Sequence, residues 1–68
     1  MNNFIKLTIK REDKSGMFRS VLLAKDKVTC VEEISSDYCE VTFMVDMSTY
    51  TAFNVTETLD EIYRMLEN

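Results

Sequence analysis

Residues 53–68 run from a strand directly into a well-signalled helix, and that junction constrains the chain more than any other feature. Phe53 and Val55 close an alternating apolar segment, after which Thr58 and Glu61 have the spacing of a capping box. In that box the threonine hydroxyl accepts from the third helical amide, and the glutamate carboxylate accepts from the cap amide. Glu57, Asp60 and Glu61 place negative charge at the positive end of the helix dipole. Leu59, Ile62, Tyr63 and Leu66 fall at i, i+3, i+4 and i+7, a single apolar stripe. Such a helix has to lie on a sheet face, and the preceding residues supply the sheet.

The first strand is expected over residues 4–10, with Ile5, Leu7 and Ile9 on one face and Lys6, Thr8 and Lys10 on the other. A polar turn at 11–16 surrounds Gly16, the chain's only glycine and its natural site for a positive φ. A second apolar strand is expected at 17–23, then a short polar connection at 24–27. Residues 28–34 read as a third strand whose inward face is ambiguous, because Val28, Cys30 and Ile34 compete with Val31. Ser35-Ser36-Asp37 reads as a tight turn of short polar side chains that bond nearby backbone. Residues 38–45 alternate cleanly, with Cys39, Val41, Phe43 and Val45 inward. A turn at 46–49 leads to a fifth strand at 50–55.

Together these elements predict one α+β domain over residues 1–68. It consists of a small, mostly antiparallel sheet of four to five strands with one C-terminal α-helix packed on it. A chain of 68 residues buries only about 60% of its unfolded surface. Without a zinc pattern or disulfide framework, stability must come from tight packing or from burial against a second copy. Cys30 and Cys39 are too widely spaced for a CxxC pair or a zinc site. They are expected on neighbouring strands as buried, reduced thiols, with a bridge between them as the alternative.

Charge divides the chain. Residues 1–27 carry seven lysines and arginines against three carboxylates, a net +4; residues 28–68 carry Arg64 against nine carboxylates, a net −8. An overall charge of −4 disfavours direct nucleic-acid binding. The asymmetry suits attraction between the two regions within one fold, or steering of a basic partner to the acidic half. No apolar run is long enough to span a bilayer and residues 1–4 have no signal-peptide character, so a soluble, cytoplasmic protein is the expectation.

The sequence offers little catalytic chemistry. It has no histidine, no glycine-rich phosphate loop and no nucleophile elbow. Glu32 and Glu33 are adjacent in a strand and point to opposite faces. Capping accounts for Glu57, Asp60 and Glu61, so no metal site and no cofactor is expected there. Exposed apolar groups are the better lead. Phe4, Met44, Met47, Tyr50 and Met65 fall off the core stripes or in turns, and methionine and tyrosine suit adaptable contact surfaces.

Several segments carry a family resemblance: Ile5-Lys6-Leu7-Thr8, residues 21–28, Glu32-Glu33, Glu40-Val41-Thr42-Phe43, and residues 55–62. Their order resembles that of the small flagellar FlbD/SwrD-type family and of short phage and prophage proteins with the same pattern. Ala24 stands where the family usually has asparagine, residues 46–49 replace a glycine-containing turn, and the 11–16 loop is longer. The resemblance implies a small accessory fold and carries over no catalytic residue.

The sequence therefore points to a non-enzymatic protein-interaction module that modulates or inhibits a larger partner and self-associates as a dimer or higher oligomer. Met44, Met47 and Tyr50, with Asp37, Glu40 and Asp46, are the candidate protein-binding residues, facing a partner with a basic surface. If the partner is a nucleic-acid enzyme, Asp37, Glu40, Asp46, Glu57, Asp60 and Glu61 are candidates for imitating phosphates, provided they share one face. The alternatives are a nucleotide or phosphate binder using Lys6, Lys10, Arg11 and Arg19 between copies, or a structural subunit of a ring.

Overall fold

The computed structural model describes residues 3–10 and 18–68. Five strands form one antiparallel sheet: β1 (Phe4–Ile9), β2 (Arg19–Ala24), β3 (Val28–Glu33), β4 (Cys39–Asp46) and β5 (Thr49–Val55). A 3-10 turn, Lys25–Lys27, joins β2 to β3, and α1 (Leu59–Glu67) follows β5. The strand order is β2-β1-β5-β4-β3. The turn at 11–16 and the expected strand residue Met17 lie outside the described residues.

Two units make up the sheet. β1 and β2 pair along six positions, from Phe4↔Ala24 to Ile9↔Arg19, and β3, β4 and β5 form a meander. Among the described residues the hairpin and the meander meet at a single ladder position, Ile9↔Val55. Around it the Lys10 amide donates to the Asn54 carbonyl at 2.7 Å, and the Thr56 amide to the Thr8 carbonyl at 2.9 Å. A regular ladder would next take the Thr8 amide to the Thr56 carbonyl. Here both Glu57 carboxylate oxygens accept from it instead, at 2.8 and 3.1 Å. Glu57 thus ends the β1–β5 ladder with its side chain while its backbone turns toward the helix.

Burial holds the two units together. Ile5, Leu7 and Leu23 from the hairpin meet Cys39, Val41 and Val55 from the meander, and Ile62 of α1 closes the cluster. Ile5 and Leu7 of β1 and the start of β4 therefore face inward as expected, while Ile9 is only half-buried. The capping box is complete: the Glu61 amide donates to the Thr58 hydroxyl at 3.1 Å, and the Thr58 amide to the Glu61 carboxylate at 2.9 Å.

Five side chains depart from their sequence expectation. Val45 is exposed rather than inward, because the β4–β5 register shifts between Met44 and Asp46 and carries it off the alternation. Leu59 and Tyr63 are exposed, whereas Met65, expected outside, packs on the core beside Leu66. The helix is thus rotated so that Ile62, Met65 and Leu66 face inward. Cys30 is exposed and only Cys39 is buried; both are free thiols. A shift between Val28 and Cys30 resolves the ambiguous face of β3, letting both Val28 and Val31 pack inward while Cys30 turns out.

Candidate functional site

The far end of the β4–β5 hairpin gathers the apolar residues expected to bind protein. Met44 lies directly across from Tyr50 on the sheet face opposite the core, since their neighbours Phe43 and Thr51 pair on the inward face. Val45, in the irregularity that follows, is exposed, and Met47 in the turn is 96% exposed. Met44 is half-buried, while Val45 and Tyr50 are 57% and 56% exposed. Behind the patch, Phe43 and Phe53 stack at a ring separation of 5.1 Å, giving the tip a firm base.

Asp46 shapes this turn. Its carboxylate accepts from the Ser48 amide at 2.9 Å and the Ser48 hydroxyl at 3.3 Å. The Ser48 amide, and next the Thr49 hydroxyl, hold its pKa below the ordinary carboxylate value. Asp46 is therefore ionised and locally engaged, an acidic edge to the apolar tip.

The other acidic candidates lie elsewhere. Asp37 sits in the β3–β4 turn, where its amide donates to the Ser35 hydroxyl at 3.1 Å. Glu40 is at the opposite end of β4 from Asp46, about 20 Å away at the usual strand rise. It faces away from the core, across from Glu32 on β3 and Asn54 on β5. Asp60 and Glu61 open the helix on the core side of the sheet, and Glu57 is bound to Thr8. The Thr58 amide lowers the Glu61 pKa. The six carboxylates proposed to imitate phosphates therefore do not share one face, and three of them already accept backbone amides.

The basic candidates are dispersed too. Lys6 and Lys10 share the outward face of β1, but Arg19 pairs with Ile9 and so belongs to the opposite face. The Lys10 ammonium stacks on the Tyr38 ring, 5.0 Å from its centroid. Arg11 lies outside the described residues. A phosphate site built from these four is not assembled by the described residues.

A second apolar surface, not anticipated from the sequence, lies between α1 and β3. Val31, Leu59, Ile62, Tyr63 and Leu66, with Asp60, line a hollow of about 360 Å³. Tyr63 is 61% exposed there, although its helical spacing had placed it in the core stripe. Phe18 and Leu22 are also exposed; the inward alternation of Val21 and Leu23 was the available sign that Leu22 points out. Among the described residues, no cluster of three histidine, cysteine or acidic side chains is arranged to hold a metal.

No protein-family model matches the chain, and neither the curated proteins nor the solved structures contain a significant match to it. Among the described residues, no helix is long and apolar enough to cross a membrane.

Proposed function

We propose that this chain is a small, non-enzymatic protein-interaction module that acts by binding a larger protein. The observation that carries this reading is the β4–β5 tip, where Met47 stands almost fully exposed beside the Met44–Tyr50 pair and Val45. Large apolar side chains cost solvation when left in water, and methionine and tyrosine are favoured contact residues. Among the described residues, nine large hydrophobics are exposed and seven hydrophobics are buried. Three of the nine, Val45, Met47 and Tyr50, lie together at this tip, a patch of the kind that marks a contact surface. Asp46 at the edge of the tip, with the net negative charge of residues 28–68, would steer encounter with a basic surface.

The element order, which resembles that of FlbD/SwrD-type and short phage proteins, fits a flagellar accessory or a phage-encoded modulator. A cytoplasmic setting agrees with free thiols at Cys30 and Cys39. The test is affinity capture from native cells with the unaltered chain and with a Met47→Ser/Tyr50→Ser variant, alongside light scattering of both. A protein retained by the first and lost by the second supports the reading. Capture of the same proteins by both variants, or loss only of self-association, contradicts it.

A further inference from the structure

β3 is one of the two outer strands of the sheet. It pairs with β4 through Glu32↔Glu40 and Cys30↔Thr42, and the Ile34 amide continues the ladder to the Tyr38 carbonyl at 3.2 Å. Hydrogen-bonding direction alternates along an antiparallel strand, so Val31 and Glu33 aim their backbone N–H and C=O groups at the outer edge. Such an edge is a template for another strand.

The two sides of this edge differ. Toward the helix, Val31 borders a mainly apolar hollow walled by Leu59, Tyr63 and Leu66, with Asp60 in its lining and Glu33 next along the same strand face, which suits apolar side chains opposite Val31. On the other side Glu32 stands directly across from Glu40. Like charges at facing ladder positions repel. No lysine or arginine occurs anywhere in residues 28–63, so the meander supplies no cation of its own. An incoming strand with apolar residues on its helix side and basic residues on its outer side would fill the hollow and set a cation beside Glu32. Strand alternation provides that pattern without further adjustment.

We infer that the outer edge of β3 accepts an extended segment of a partner protein in which apolar and basic residues alternate. The segment adds to the sheet by antiparallel or parallel pairing with Val31 and Glu33. This inference shares with the proposed function only the premise of a protein partner, and it concerns a surface separate from the β4–β5 tip.

The test is an NMR titration of the isotope-labelled chain with a blocked octapeptide of alternating valine and lysine at low salt. An octapeptide of alternating valine and glutamate serves as control. The expected result is perturbation centred on Val31, Glu33 and Tyr63, with slowed amide exchange at Val31 and Glu33. Glu32→Lys and Tyr63→Ser, both at exposed positions, should each weaken binding about three- to tenfold. Met47→Ser should leave it unchanged, which separates failure here from failure of the tip as a binding surface. Four results overturn the inference: no perturbation at millimolar peptide, an equal response to the glutamate peptide, perturbation at Arg19–Ala24 instead, or protection of Val31 and Glu33 on raising protein concentration alone. The last would assign the edge to a second copy.

Discussion

The β1–β2 hairpin and the β3–β5 meander contribute equally to the buried cluster, three residues each, yet differ in almost everything they present to solvent. The described part of the hairpin carries Lys6, Lys10 and Arg19, and the 3-10 turn beside it adds Lys25 and Lys27. The meander and the first turn of α1 carry carboxylates and no basic residue. Backbone pairing between the two, among the described residues, is limited to one ladder position. Burial and a few polar contacts bridge the difference in charge, among them Glu57 on the Thr8 amide and Lys10 on Tyr38. Opposite charge within a small fold can thus serve the seam locally while most of the acidic surface stays available for a partner.

If the shared core is what unites the units, damage to the hairpin side should unfold both. Leu7, fully buried on β1, is the sharpest probe. Leu7→Ala should cost about 2–5 kcal/mol in urea denaturation, with one transition for both units. A separate early melting of β1–β2 amides would break the comparison. Glu57→Ala leaves the Thr8 amide without its acceptor at a half-buried site, and about 1–3 kcal/mol is expected. Amide exchange at Thr8 should quicken more than exchange at Val41.

Thr58→Ala tests the helix alone, at about 0.5–2 kcal/mol. The Glu61 half of that cap should be visible in acid. Its folded pKa lies below the ordinary 4.5, so its contribution is fully present above that value and is lost as pH falls through the lower folded value. Protection of the α1 amino-terminal amides should fall over that window. The smallest effect has the opposite sign. Glu32→Lys replaces facing carboxylates on β3 and β4 by an ion pair and should stabilise by a few tenths of a kcal/mol after solvent screening.

Thiol chemistry marks the two sides of the meander. Exposed Cys30 should react readily with a thiol reagent. Cys39 should resist it, because burial, reinforced by the Glu33 charge, raises its pKa above 9.0. Cys39 is therefore neutral in the folded protein, a state that favours folding below pH 9.0 and whose advantage fades as pH rises through the elevated folded value.

Local signals made most elements legible. The alternation of Ile5, Leu7 and Ile9, the polar turn at 35–37 and the Thr58–Glu61 box each depend on neighbours in the chain, and each is found in the fold. Strand order was not legible. The β1–β5 junction depends on contacts such as Thr8 to Glu57, 49 residues apart, and Glu57 alone reads as a helix-dipole carboxylate. The register shifts beside Thr29 and Val45 were equally hidden, since periodicity cannot mark where one extra residue enters a ladder. Met44, Met47 and Tyr50 converge as expected because a short turn joins two alternating strands. Asp37 and Glu40 do not join them, because β4 is long enough to hold its ends apart.

The central claim is that a partner meets the acidic meander at the β4–β5 tip, and the hairpin does not provide that contact. A photoreactive phenylalanine analogue placed at position 47 or at position 22, both exposed in the fold, tests it directly in cells that make the protein. A discrete covalent adduct with another protein is expected from position 47 and none from position 22. Adduct formation from position 22 with none from position 47 would contradict it.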